Sequence, residues 1–126
     1  MLARQLDDHM GARWEEAFRE HLVRLAARGE LGEEIVDIGR WWRDSPPVEI
    51  DAVALAGPGR TPVLTGEAKW TRRVDARRVA RDLERKAEAL PGLRAGTPLR
   101  FAVAARERVD NGEGFVVVTA EEVFGE

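Results

Sequence analysis

Apolar residues recur along the first quarter of the chain with the period of an α-helix, and after it in the shorter runs typical of β-strands. The stripe over residues 8–28 predicts an amphipathic helix that two glycines end. From residue 33 onward, runs rich in β-branched and aromatic residues alternate with proline and glycine turns. This pattern predicts three strands, at 33–42, 48–55 and 62–70. The apolar stripe of the helix consists of Trp14, Phe18, Leu22 and Leu25.

The second half of the chain begins with another helical pattern. A helix is predicted over 75–90, with Asp75 as its N-cap and Pro91-Gly92 after its end. Residues 99–105 and 115–119 are nearly all apolar, as expected of strands buried on both faces, and a last helical turn is predicted within 120–126. This order predicts an α/β fold with a mixed central sheet flanked by helices. A chain of 126 residues fits a single domain, which we expect to span 1–126.

Composition excludes several classes of function. The chain has no cysteine, which excludes disulfides, thiolate zinc sites and cysteine nucleophiles. No apolar run approaches the roughly 20 residues that a membrane-spanning helix needs. The first ten residues lack the apolar core of a signal peptide. We therefore expect a cytoplasmic protein that does not bind a membrane.

Charge is unevenly distributed along the chain. The net charge is −3, but residues 69–86 contain eight basic and three acidic residues, a local charge of +5. Such a basic face can hold a phosphate backbone, and an ion-paired helix surface is the alternative. Four arginines recur every four residues and are predicted to bind nucleic acid, unless they pair with Asp82, Glu84 and Glu88. They are Arg73, Arg77, Arg81 and Arg85.

The residues with the clearest chemical potential lie on the second and third predicted strands. Side chains alternate along a strand, so Glu67 and Lys69 face the same side. Pairing of the two strands through the turn at 57–59 places Asp51 next to Glu67, where two carboxylates can share a divalent cation. A nearby lysine can orient or deprotonate water, or stabilise charge on a phosphate. The alternative is a cross-strand ion pair, but apolar neighbours indicate buried strands, in which a charge needs a partner or a metal.

Two further positions carry alternatives. On the first helix Glu15 lies at the margin of the apolar stripe, where it can face a site on the sheet, whereas Glu16 points to solvent. An ion pair between Glu15 and Arg19 is the other interpretation. In a strand, Trp41 and Trp42 must point to opposite faces. We expect the core or a partner to cover them, although one could border a groove or stack on a base.

Together these residues resemble a known nuclease superfamily. Asp51 and Glu67-Ala68-Lys69 on consecutive strands, after a helix bearing Glu15, resemble the PD-(D/E)XK, or restriction-endonuclease-like, superfamily. Residues 14–20, 38–42, 48–51 and 66–70 resemble, more narrowly, the nuclease-like domain of unknown function at the C-terminus of archaeal-type (DEXX-box) ATPases.

The resemblance implies a restriction-endonuclease-like αβββαβ core that uses Mg²⁺ or Mn²⁺ and acts on DNA. Asp51 and Glu67 would be the metal ligands, Lys69 would be catalytic, and Glu15 would be the acid of the first helix. Two departures stand out. Ile50 replaces the proline of the superfamily's name, and the second helix lacks the glutamine-tyrosine motif of the RecB-like branch, which argues against that branch.

Two functions follow as hypotheses, and an interaction domain that uses neither a metal nor a nucleic acid is a third alternative. The first is a metal-dependent phosphodiesterase, a nuclease acting on DNA. The alternative is a catalytically silent, nuclease-like binding or regulatory domain associated with an archaeal-type ATPase. Such an ATPase module would lie in the same or another chain, because these residues contain no phosphate-binding Gly-x-x-x-x-Gly-Lys loop. The sequence leaves open a homodimer, DNA against RNA, and endonuclease against exonuclease action.

Overall fold

The first helix is longer than its apolar stripe predicts. In the computed structural model, which describes residues 2–32, 34–93 and 96–125, α1 spans Leu2–Ala27. Its stripe is buried: Trp14, Phe18 and Leu22 are each at most 1% exposed. Gly29 ends the helix with φ of 75°, a left-handed conformation that side chains disfavour. None of the helices in these described ranges is both long and apolar enough to cross a membrane.

The central sheet has five strands in the order β1-β2-β3-β5-β7. The first three strands pair antiparallel, and β3, β5 and β7 pair parallel, so the sheet is mixed as predicted. The helix α2 (Ala76–Ala87) follows β3 and provides the crossover to β5. The strands of this sheet are β1 (Ile35–Asp44), β2 (Pro47–Ala56), β3 (Thr61–Ala68), β5 (Arg100–Ala105) and β7 (Val116–Thr119).

Two short strands and two helices complete the fold. Two short strands, β4 (Arg73–Asp75) and β6 (Arg108–Asp110), form a separate parallel pair that the sequence pattern did not predict. The helix α2 (Ala76–Ala87) is shorter than its predicted range, and its N-cap is Asp75, whose carboxylate accepts the Arg77 N–H as expected. The last helical turn is α3 (Ala120–Phe124). The predicted αβββαβ order with helices flanking a mixed sheet is confirmed.

The sheet separates two apolar clusters. α1 packs on one face around Phe18, and the partly buried Val123 of α3 joins that cluster. α2 packs on the other face through its predicted stripe, in which Val79 and Leu83 are buried. The predicted strand boundaries differ by a few residues. Glu33 lies outside the described residues, and β3 ends at Ala68, so Lys69 and Trp70 follow the strand rather than belong to it.

A bulge in β2 changes the side-chain alternation next to Asp51. Gly39 pairs with Val53, but Trp41 pairs with Ile50, so two steps along β1 match three along β2. Ile50 therefore packs in the α2 cluster, whereas Ala52, two residues on, packs in the α1 cluster. Asp51 lies between them, where the strand bends. Bulges of this kind redirect side chains and are common beside active sites.

The close contact between α1 and β3 yields a stability prediction. A Cβ atom at Gly66 would lie 2.8 Å from Phe18 Cζ and 3.2 Å from Ala102 Cβ, so Gly66→Ala is expected to destabilise the fold by about 1–3 kcal/mol. The matched strand control is Gly39→Ala, where a Cβ meets nothing within 4 Å and the change should stay within about 0.5 kcal/mol. Urea unfolding of both variants measures the difference. Equal midpoints for the two variants would show that α1 does not pack against β3 this closely.

Candidate functional site

Asp51 is held in place from two neighbouring elements. The backbone pairing of β2 with β3 ends at Ala52 and Gly66, and beyond it the Asp51 carboxylate takes the place of a backbone acceptor. The Ala68 N–H donates to Asp51 Oδ2 at 3.0 Å. From α1, the Arg19 guanidinium donates to the Asp51 carbonyl oxygen at 2.8 Å. Both backbone and side chain of this residue are therefore fixed between α1 and β3.

Two glutamates gather around Asp51. Carboxylate oxygens of Glu15, Glu49 and Asp51 lie within 4.8 Å of one another, and these three residues are called the acidic cluster below. Burial raises the pKa of the Asp51 carboxyl, and the negative charges of Glu67 and Glu49 raise it further, against the lowering effect of the Ala68 N–H. Burial, followed by the charges of Asp51 and Glu49, raises the pKa of Glu15 as well. The cluster is an electrostatically unfavourable site that a proton or a cation would stabilise.

Glu67 lies outside the acidic cluster and is paired with two lysines. Its side chain is only 7% exposed. Lys69 Nζ lies 2.7 Å from Glu67 Oε2, and Lys86 Nζ, on α2, donates to Glu67 Oε1 at 3.3 Å. The hydrogen bond to Glu67 is the main cause that raises the pKa of Lys69. The buried carboxylate thus has a cation on each oxygen, which is the pairing that a charge in a buried strand requires.

The predicted arginine row divides into two halves. Arg81 and Arg85 line a groove of about 430 Å³ together with Glu67 and Lys69. Arg73 instead forms an ion pair with Asp110 at 3.0 Å, across the β4–β6 pair. Arg77 is exposed and lies away from the lining of that groove. Of the alternative carboxylate partners, Asp82 does pair with Arg85.

The structure therefore brings the predicted residues together in two adjoining groups. Asp51 and Glu15 belong to the acidic cluster, whereas Glu67 and Lys69 form an ion-paired group facing α2. The sequence analysis missed two participants, Glu49 and Lys86. Glu49 stands two residues before Asp51 on the same predicted strand, and that spacing was an available signal. Nothing in the spacing of Lys86 indicated that it would reach Glu67.

The raised pKa values lead to a prediction about stability without metal. A carboxyl whose pKa is higher in the folded state stabilises the fold below its unfolded pKa, and this contribution is lost as pH rises through the folded pKa. In EDTA, stability should therefore fall as pH rises through the raised pKa values of Asp51 and Glu15. Asp51→Asn keeps an oxygen for the Ala68 N–H but removes the charge, so it should flatten this fall. Urea unfolding across acidic to neutral pH measures it.

A carboxylate outside the cluster provides the control. Asp37 is an exposed residue of β1 that pairs with Arg60, and Asp37→Asn should leave the wild-type pH dependence in place. If the stability of Asp51→Asn falls with pH as much as that of wild type, burial and repulsion in the acidic cluster do not raise the pKa of Asp51.

Comparison with known proteins assigns the chain to a family. A family model described as archaeal and bacterial proteins of unknown function matches residues 1–80, a range that includes Glu15, Glu49, Asp51, Glu67 and Lys69. A search of curated proteins and a search of solved structures gave no match. The match supports the predicted likeness to a domain of unknown function. On this evidence the chain belongs to DUF234, a family of archaeal and bacterial proteins whose function is unknown.

Proposed function

We propose that this domain is a metal-dependent nuclease of the PD-(D/E)XK type that acts on DNA. One observation carries the proposal: the Asp51 carboxylate is held by the Ala68 N–H between Glu67 and Lys69, and it lies within 4.8 Å of Glu15 and Glu49 carboxylate oxygens. The hydrogen bond ties an acid of β2 to the middle of the Glu67-Ala68-Lys69 segment. That is the combination of acids and lysine that the sequence resemblance singles out.

The residues present fit a hard divalent cation. Mg²⁺ and Mn²⁺ prefer carboxylate oxygens and keep several waters, and the acidic cluster offers three carboxylates from α1 and β2. A cation would also offset the burial and repulsion that raise the pKa values of Asp51 and Glu15. Asp51 and Glu67 would hold the ion, with Glu15 and Glu49 supplying further oxygens. When bound, such an ion activates water and offsets charge on a phosphodiester.

Lys69 acts in this proposal as a positioned cation. Because hydrogen bonding to Glu67 raises its pKa, its ammonium group stays protonated at neutral pH and is not a general base in this arrangement. Half of its side chain is exposed, so the ammonium can reach a phosphate oxygen from its place beside Glu67. Glu67 in turn fixes the direction of that ammonium. Charge that develops on the phosphate is then met by a group already in position.

The groove beside Glu67 supplies contacts for the DNA backbone. Arg78, Arg81 and Arg85 line it, against the single carboxylate of Asp82 from the same helix. Arginine side chains on a helix surface bind phosphates without regard to base sequence. Binding through this face also explains how a protein with a net charge of −3 could hold DNA.

The catalytic proposal predicts a separation of metal binding from cleavage. In Mn²⁺, wild type should degrade DNA, and Asp51→Asn should lose both cleavage and metal affinity measured by calorimetry. Lys69→Ala should keep the metal affinity within a few-fold while cleavage falls roughly 10²- to 10³-fold, because only the charge facing the phosphate is removed. Asp37→Asn serves as the control for both assays. Absence of any cleavage by wild type would refute the enzymatic proposal.

The arginine groove predicts a position-dependent loss of DNA binding. Changing both Arg81 and Arg85 to Gln should lower the slope of log Kd against log salt by roughly two, because two phosphate contacts disappear. Changing both Arg73 and Arg77 to Gln alters the net charge equally but outside the groove, and should change the slope little. Fluorescence anisotropy at several salt concentrations, in EDTA, measures both. Equal effects of the two pairs would indicate attraction by overall charge rather than this groove.

One observation favours the second candidate, a nuclease-like domain that binds or regulates without cleaving. Both carboxylate oxygens of Glu67 already have a lysine partner, so an ion would have to displace one of them. In that case the domain would bind DNA through Arg81 and Arg85, alone or with an ATPase module, and would show no calorimetric binding of Mn²⁺ that depends on Asp51. The metal titration described above therefore distinguishes the two candidates.

A further inference from the structure

One tryptophan is exposed without a role in the fold. Trp42, near the end of β1, is 56% exposed, whereas its neighbour Trp41 packs against the α2 cluster. Exposure of one indole is by itself ordinary, but this ring lines a groove of basic side chains, where its face can stack on a ligand. The Arg40 guanidinium lies 4.7 Å from the centre of the Trp42 ring and helps to hold the ring in one orientation.

Trp42 lies directly beside the acidic cluster. In the register of β1 and β2 it pairs with Glu49, so the two side chains are cross-strand neighbours. Arg40, which covers the ring, also donates to Glu49 Oε1 at 3.2 Å. A ligand that stacks on Trp42 would therefore lie one side chain away from the carboxylates of the cluster.

The surface around Trp42 is a charged groove rather than an apolar patch. It measures about 560 Å³ and extends past Glu49 to Arg85 and Lys86 on α2. Four basic residues and two acidic residues line it, a charged surface unsuited to the apolar face of a partner helix; Arg85 and Lys86 also pair with Asp82 and Glu67 behind the lining. Arg85 also lines the groove of Glu67 and Lys69, so the two grooves adjoin. The charged lining consists of Arg40, Arg43, Arg85, Lys86, Asp44 and Glu49.

We infer that Trp42 stacks on an unpaired base and that the substrate of this site is single-stranded DNA. The inference rests on the proposed nuclease function and names its substrate class. In a duplex the faces of the bases are stacked on one another, and a ring in an open groove meets only the backbone and base edges. A single strand exposes its base faces, and proteins hold such strands by combining a basic groove with aromatic stacking. Trp42 and the groove from Arg40 to Lys86 provide that combination.

Binding without metal tests the inference separately from cleavage. In EDTA, anisotropy with a labelled oligo(dT) of about 15 nucleotides should show Trp42→Ala raising Kd roughly tenfold, the loss typical of one stacked base. Trp42→Phe should keep most of the affinity. Phe124→Ala is the matched control, because Phe124 is an aromatic residue that is 61% exposed and lies outside the groove. Oligo(dT) should also quench the tryptophan fluorescence of wild type, and much less that of Trp42→Phe.

The comparison arms decide the outcome. A duplex should bind wild type more weakly than oligo(dT) and should be insensitive to Trp42→Ala, and oligo(rU) should bind no tighter than oligo(dT). Equal oligo(dT) affinity of Trp42→Ala and wild type, a preference for duplex or for oligo(rU), or no binding of any nucleic acid would overturn the inference. Stacking on Trp42 without cleavage in Mn²⁺ would instead refute the proposed nuclease and leave the single-strand site standing.

Discussion

The hydrogen bond from the Ala68 N–H to the Asp51 carboxylate is the contact on which the arrangement of the site depends. It continues the contact between β2 and β3 beyond their last backbone pair, Ala52 with Gly66, with a side chain in place of a carbonyl. The bulge in β2 makes this possible, because it turns Asp51 away from strict alternation while Ile50 and Ala52 stay in the two cores. Without the bond, the Asp51 carboxylate would lose its direct link to the Glu67-Ala68-Lys69 segment. With it, the pairing of β2 with β3 also positions the charged side chains of the site.

The ion-paired group of Glu67 and the acidic cluster differ in how far their negative charge is compensated. Glu67 is deeply buried and has a lysine on each oxygen, so its negative charge is compensated within the chain. The acidic cluster has three carboxylates, and burial and mutual repulsion raise the pKa values of Asp51 and Glu15. Arg40 contacts Glu49 at the exposed margin, and Arg19 is occupied by the Asp51 carbonyl. Uncompensated negative charge is therefore concentrated in the acidic cluster, whereas the charge of Glu67 is already compensated by Lys69 and Lys86.

Periodicity was sufficient to predict the main elements and the pair of strands that carries the site. The buried stripes of α1 and α2 and the antiparallel start of the sheet follow from patterns of 3.6 and 2 residues. Boundaries were less predictable: the pattern extended β3 to Trp70, but the strand ends at Ala68. The short strands β4 and β6 have three residues each, too few for a period to be visible.

The site itself was predictable only as far as it follows from strands. Carboxylate oxygens of Glu15 and Asp51 lie within 4.8 Å of each other, and the side of the helix on which Glu15 lies follows from the regular period of α1. The bulge was not predictable, because no glycine or proline lies between Ile50 and Val53 to signal it. The contact of Lys86 with Glu67 depends on how α2 packs across the sheet, and therefore on contacts between segments that are distant in sequence. Residues brought in by tertiary packing leave no signal in local spacing.

The position of α2 links chemistry to recognition in the proposed function. Lys86 pairs with Glu67, while Arg85, the preceding residue, borders both the groove of Lys69 and the groove of Trp42. Because consecutive helical residues point about 100° apart, one turn of α2 can compensate a buried carboxylate and face a phosphate chain at once. The apolar stripe of α2, in which Leu83 is fully buried, packs the helix on the sheet. This packing sets the distance of the Arg85 and Lys86 side chains from β3. Any shift of α2 would therefore alter charge compensation at Glu67 and the path of a bound strand together.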